Sequence, residues 1–280
     1  GLKVYETQLT LIARQNEGSG ILHNATLLRN NMSCRENLVK PVLHLSEYND
    51  IEVLSGEYMS ETISDCYDRD GLNETIVITR SNKRATMFNA GIRNQILYRE
   101  DELVSGDMLL VAKNNYFWSE QYEELDFIAN GDVARVSRVR GTHKMYGFRY
   151  ADVTLEFPDH NNIEVDAKVI LDGLFSDSPA LSREQSERLF TEIYAELEGD
   201  KRTRYKALKQ NPYFNALQVK YAYTVTCHKA QGGQWKNVFI DMGYIPEDAF
   251  TSLDFYRWLY TAITRARSHV YLINFPLNSN

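Results

Sequence analysis

Thr224 to Asp241 reads TVTCHKAQGGQWKNVFID, and after a spacer Trp258 to Arg267 reads WLYTAITRAR. The first run has the pattern of a strand, a polar turn carrying Gly232 and Gly233, and a second strand. The second is the end of an amphipathic helix, with Leu253, Tyr256, Leu259, Tyr260 and Ile263 as its apolar stripe, closing on Arg265 and Arg267. A turn that follows a strand directly lies where α/β sheets bind ligands, outside the carboxyl ends of strands. Thr226, His228 and Lys229 offer donors for a phosphodiester there, and Gly232 lets the backbone approach closely. A guanidinium held where helix gives way to strand presents a planar fork of donors to a phosphate and stays charged at any working pH. Each half alone also fits a plainer account: two arginines complement the dipole at a helix C-terminus, and a polar turn is only a turn.

Outward from this stretch the chain alternates strands and helices. Asp50–Leu54 (DIEVL) and Glu74–Thr79 (ETIVIT) are compact apolar runs suited to buried parallel strands. Helical periodicity follows each, over 55–68 and again through Ala85, Met87, Phe88, Ile92 and Ile96. Leu9, Leu11 and Ala13 alternate as a short strand, and Ser19 is placed to cap a helix carrying Ile21, Ala25 and Leu28. Thr251 with Asp254 has the form of a capping box before the last helix. Val270–Phe275 reads as a closing strand.

From about Leu103 the texture changes to short alternating strands separated by Gly-Asp, Asn-Gly-Asp and Asp-His-Asn-Asn turns. This predicts an all-β module of about five strands, a small barrel, followed by a charged helical excursion over Ser182–Gln210. Leu217–Thr226 then alternates again as one strand. The expected architecture is α/β: a parallel-sheet domain in two parts, 1–102 and 214–280, interrupted by a barrel and helical insertion over 103–213.

The composition is that of an ordinary globular protein, and Lys+Arg 31 against Asp+Glu 38 gives a net charge of −7. No global positive field draws nucleic acid, so any contact with it must be made in a local groove. Cys34, Cys66 and Cys227 stand far apart in no metal-binding or disulfide pattern, and the six histidines are scattered. No metal site built from protein ligands alone is expected. The sequence shows neither a run of 18 apolar residues nor a signal-peptide pattern, which suggests a cytoplasmic protein.

The pattern T-x-H-K-x-Q-G, a V-F-I-D strand and L-Y-T-A-I-T-R-A-R in this order resembles the last two sequence motifs of superfamily 1 helicases of the UvrD-like group, especially their RecD and Dda branch, the exonuclease V alpha-subunit type. The resemblance extends to LIARQ (11–15) and to TIVITRSNKRATMFNAGIR (75–93), and GDMLLVAKNN with IANGDVARV is similar to the SH3-like barrel inserted in the second motor domain. It implies a RecA-like fold without a phosphate loop, and roles position by position. Arg265 would contact the γ-phosphate of ATP, with Arg14 as a second arginine; Gln231, Gly232 and Gln234 would lie beside the nucleotide. Gln234 departs from the Glu that many relatives carry. Thr226, His228 and Lys229 would face single-stranded DNA, joined by Ser81, Asn82 and Lys83 after the ETIVIT strand and by Asn115 and Tyr116 in the barrel. Ser81 to Lys83 equally suit a helix cap, and the Tyr116–Trp118 aromatics equally suit a barrel core with one exposed ring.

No G-x-x-x-x-G-K-[ST] and no strand ending in an Asp-Glu pair for Mg²⁺ occurs in the chain, which begins with Gly1. ATP and Mg²⁺ would therefore be held mainly by an N-terminal RecA-like motor domain of the same polypeptide, with nuclease subunits as further partners and no membrane. A non-catalytic module for single-stranded nucleic acid or a protein, and an RNA helicase of the same superfamily, remain the alternatives.

Overall fold

The computed structural model describes residues 18–33 and 38–276. The apolar runs Ile51–Leu54 (β1) and Thr75–Thr79 (β2) join Thr224–Thr226 (β8), Trp235–Asp241 (β9) and Ala266–Ile273 (β10) in one sheet of order β1-β10-β9-β2-β8, with every pairing parallel. All five residues of β2 are buried, as a strand covered on both faces requires. Helices α1 (Gly20–Ser33) and α6 (Leu253–Ile263) pack on each other and on β10, while α2 (Met59–Asp70) and α3 (Asn82–Gly91) pack on β2.

Capping residues fix where these helices start. Ser19 Oγ accepts from the Leu22 amide at 3.3 Å and donates to Asp50, which also accepts from the Gly20 amide at 2.9 Å. The expected capping pair at α6 is displaced by one residue. Thr251 lies in a 3₁₀ turn with its hydroxyl bonded to the Asp248 carbonyl at 2.9 Å, and Ser252 caps the helix instead, accepting from the Phe255 amide at 3.2 Å. The proposed strand at Leu9–Ala13 lies outside the described residues.

The inserted module is a closed five-stranded barrel of order β3-β4-β5-β6-β7: Met108–Val111, Val133–Met145, Phe148–Phe157, Ile163–Ile170 and Leu217–Tyr221. β4 and β5 form a long hairpin whose tip, Tyr146–Gly147, has positive φ at both residues, the conformation a two-residue turn needs. The helical excursion is two helices, α4 (Arg183–Glu196) and α5 (Lys201–Lys209), inserted between β6 and β7. Ser182 with Gln185 forms a capping box on α4, and Asp200 caps α5. Leu189, Ile193 and Leu208 pack them on Phe148, Tyr150 and Ile170, a small core of their own beside the main one.

One boundary moves. The single strand expected over 217–226, taken as part of an α/β segment starting at 214, is cut in two at Ala222–Tyr223. Leu217–Tyr221 closes the barrel against β3 and β6, and only Thr224–Thr226 enters the parallel sheet. Asn89 of α3 holds the break, donating to the carbonyls of Tyr221 (3.2 Å) and Thr224 (3.0 Å) and accepting from the Thr224 amide at 2.8 Å.

Beside the break lies a buried ionic joint. Asp107, fully buried, accepts from Arg93 Nε (3.0 Å) and Nη2 (2.9 Å), Arg99 Nη1 (2.7 Å), the Val104 amide (2.9 Å) and Tyr223 Oη (2.7 Å). Arg93 sits in a π-helical turn, Ile92–Ile96, that ends α3, so the joint ties the α/β part to the first strand of the barrel. Burial pushes the Asp107 carboxyl up, but the donors around it outweigh burial and hold it below the usual carboxylate range.

Candidate functional site

Register decides where the two motif stretches meet. Thr226 pairs with Thr79 at the carboxyl edge of the sheet, whereas Trp235 pairs with Ala266 at the amino end of β10. The turn 227–234 therefore crosses the sheet from its carboxyl edge to its amino edge. Thr226 thus lies at the carboxyl ends of the strands, where a ligand site was expected, whereas Gly232 to Gln234 come to lie with Arg265 at the amino ends of β9 and β10.

Two short backbone turns build the crossing: the amides of Lys229 and Ala230 bond to the Thr226 carbonyl at 2.9 and 3.0 Å, and the Gly233 amide to the Ala230 carbonyl at 3.2 Å. Cys227 and Ala230 are buried and anchor the inner side. Burial pushes the Cys227 thiol up to about 11, against the opposing pull of the nearby Arg265 charge. Gly232 has φ +90 with open space where a Cβ would sit, so its backbone is bare to solvent. Trp235 lies on Gly233, where an added Cβ would be 2.3 Å from the indole ring.

Arg265 is half-buried, and its guanidinium donates to the Thr261 carbonyl (3.1 Å), the Gly233 carbonyl (3.3 Å) and Thr264 Oγ1 (3.3 Å). These bonds aim it across the end of α6 at the glycine turn. The Trp235 amide in turn donates to the Arg265 carbonyl at 3.0 Å. Arg267 points elsewhere and pairs with Glu74. Gln231 and Gly232 are exposed and Gln234 is half-buried on the same edge. Arg14 lies outside the described residues.

At the carboxyl edge Asn82, Thr226 and Lys229 line one narrow groove together with Lys220 of β7. Ser81 beside it is spent as the N-cap of α3, accepting from the Arg84 amide at 3.3 Å, while Lys83 is exposed. Sequence reasoning missed Lys220. Its ammonium donates to the carbonyls of Gly173 (2.7 Å) and Ser176 (2.6 Å), and burial pulls it down to about 8. The only signal in the sequence was a lysine alternating with apolar residues in a strand.

Lys229 donates to Asn130 Oδ1 in the barrel loop before β4, and burial lowers the pKa of its ammonium. Its neighbour His228 is exposed, and both line a cleft of about 550 Å³ between the motif turn and the barrel. Asn115 and Tyr116 do not join this group. They lie on a second groove, of about 940 Å³, between the barrel and α4–α5. The Asn115 side chain is consumed locally, donating to the Asn215 carbonyl at 2.8 Å and accepting from the amides of Phe117 and Trp118. Tyr116 is the exposed ring of its aromatic trio, stacked on Phe127.

Among the described residues no group of three or more His, Cys, Asp or Glu gathers to hold a metal, and no helix is long and apolar enough to cross a membrane.

Residues 221–273 match the UvrD-like helicase C-terminal domain. No curated protein matches the chain. Among solved structures, the Pif1 helicase from Bacteroides in complex with ADP-AlF3 and ssDNA is 14% identical with a TM-score of 0.48, over 97% of this chain and 52% of that one. The Pif1 helicase from Candida albicans is 13% identical with a TM-score of 0.41, over 91% and 53%. The chain thus spans about half the length of the solved helicases it matches.

Proposed function

From a segment of UvrD-like helicase type at Tyr221–Ile273, we propose that this chain is the second motor half of an ATP-dependent helicase that moves along single-stranded DNA. One observation carries the proposal: a half-buried arginine at the end of α6 is bonded to the carbonyl of Gly233, next to a bare, positive-φ glycine.

The residues suit an anionic nucleotide. Arg265 supplies a fork of donors, Gly232 an unobstructed backbone, and Gln231 and Gln234 neutral amides that can bond a ribose or phosphate. Nothing in this set supplies a carboxylate for Mg²⁺, which agrees with ATP and metal being held mainly by a first motor domain on the same polypeptide. When bound, ATP supplies the free energy that closes and opens the cleft between the two domains. In this chain Arg265 stabilises negative charge on the transferring phosphate, with Arg14 as its proposed second. Thr226, Asn82, Lys83 and Lys229 hold the phosphodiester backbone at the opposite edge of the sheet, and the 227–234 turn links the two ends rigidly. The RecD and Dda branch, and with it 5′-to-3′ movement, is supported by the motif resemblance.

The test is a pair of measurements. The 280-residue chain binds a labelled oligodeoxythymidylate in fluorescence anisotropy but turns over no ATP; joined to its partner domain it hydrolyses ATP with DNA stimulation. Turnover by a clean preparation of the chain alone, or the absence of any binding to single strands, overturns the proposal.

A further inference from the structure

The most basic segment of the molecule is not in the motor half. α5 carries five cations in nine residues (KRTRYKALK) and no acid, in a chain of net charge −7. At 3.6 residues per turn Lys201, Arg202, Tyr205, Lys206 and Lys209 fall on one face, and all five are exposed. Arg204 leaves that face to lie over the Tyr194 ring, and Leu208 is buried beneath.

The four remaining cations have no carboxylate within 4.0 Å among the described residues. Of the acids just before α5, Glu196 accepts from Tyr146 Oη at 2.7 Å and Asp200 caps α5 through the Thr203 amide, while the exposed Glu198 forms no ion pair within 4.0 Å among the described residues. A face held only for solubility gains from interspersed signs, whereas four like charges side by side repel one another until a polyanion neutralises them.

Aromatic rings accompany the charge. Tyr205 is 51% exposed beneath Lys209 Nζ, 5.1 Å from its centroid, and Lys209 opens onto the 940 Å³ groove whose far wall holds Tyr116, 61% exposed. Cations interleaved with exposed rings bind single strands, the phosphates by charge and the bases by stacking without sequence preference. An acidic peptide would satisfy the lysines and leave both rings without a role.

We infer that the α5 face and the groove beside it form a second contact for single-stranded nucleic acid, on the inserted helical pair and separate from the groove at Asn82 and Thr226. This rests on the proposed handling of single strands and adds a site to it.

The test is a salt series of oligodeoxythymidylate binding by the full chain, comparing wild type with the combined Lys201→Gln, Arg202→Gln, Lys206→Gln, Lys209→Gln variant. Each phosphate contact on a single strand contributes about 0.7 to the slope of log affinity against log salt, so the slope becomes shallower by about 3 and low-salt affinity falls by at least about tenfold. The set Lys201→Arg, Lys206→Arg, Lys209→Arg restores both, and unchanged thermal midpoints confirm that these exposed positions leave the fold intact. If binding depends on Thr226 and Lys83 while the α5 variant matches wild type in slope and affinity, this inference falls and the helicase proposal stands. If wild type binds no single strand, both fall.

Discussion

Arg265 and Gly233, 32 positions apart in the chain, are joined by a bond of 3.3 Å from the guanidinium to the glycine carbonyl. Through it the end of α6 and the turn between β8 and β9 become one surface. The crossing turn then carries that surface back to Thr226 and Asn82, so the proposed nucleotide edge and the proposed DNA edge are joined by eight residues of backbone.

Arg265→Ala, in the polypeptide that includes the partner motor domain, is expected to lower DNA-stimulated ATP hydrolysis by roughly 10³-fold, the scale of an arginine acting on a transferring phosphate. Single-strand binding without nucleotide should change little, because the side chain sits at the other edge of the sheet. Arg265→Lys keeps the charge and loses the fork, and should recover only a small part of the rate. Intact ATPase activity in Arg265→Ala would remove Arg265 from the phosphate.

Lys229 and Asn130 give a separate prediction. Lys229 is bonded to the barrel, so its ammonium either serves as a tether or moves to a DNA phosphate. Asn130→Ala releases it, and a phosphate role then predicts single-strand affinity at least equal to wild type. Lys229→Ala should lower affinity and reduce the salt slope by about 0.7. An unchanged slope in Lys229→Ala leaves the lysine as a tether alone.

Much of the fold was legible because it is written locally. The strands β1, β2 and β9 are continuous apolar runs between turn signals, and the barrel strands alternate with Gly-Asp and Asn-Gly breaks. What was illegible depends on long-range partners. Leu217–Thr226 alternates without interruption, and only Asn89, more than 130 positions away, shows where it breaks. Arg265 was singled out correctly as a junction residue, but its place at the amino edge follows from the pairing of Trp235 with Ala266, which no local pattern encodes. Asn115 has the right chemistry for a base, yet its amide is consumed by Asn215 and its own turn. Lys220 went unnoticed because an alternating strand residue carries no motif.

Asp107 is the joint between barrel and sheet, and its removal should be costly. Asp107→Asn leaves two guanidinium groups facing a neutral amide in a buried site, a loss of about 3–5 kcal/mol in urea unfolding at neutral pH. The pH dependence has a definite sign. The folded carboxyl lies below its unfolded value, so its contribution is present above about 3.9 and is lost as pH falls through the folded value. Wild type should therefore lose stability below pH 4 more steeply than Asp107→Asn. Parallel acid limbs would mean that the carboxyl is not held by its donors.

Lys220 has the opposite dependence. Burial pulls its ammonium from 10.5 to about 8, so between these values the unfolded chain binds a proton that the folded chain has released. Stability attributable to this group rises with pH through that window, and below pH 8 the full cost of the buried charge is present. Both carbonyl bonds survive deprotonation, since a neutral amine keeps two protons for Gly173 and Ser176. Comparing wild type with Lys220→Gln cancels the tyrosines and other lysines that also titrate there. The difference in unfolding free energy should move in favour of wild type from pH 8 to pH 10.5 and stay flat from pH 6 to 7. A single-stranded oligonucleotide in the groove at Asn82 and Thr226 would raise the Lys220 pKa by placing a phosphate near the ammonium, and the window should shift upward in its presence. A window that stays in place with DNA bound would put Lys220 outside the DNA groove.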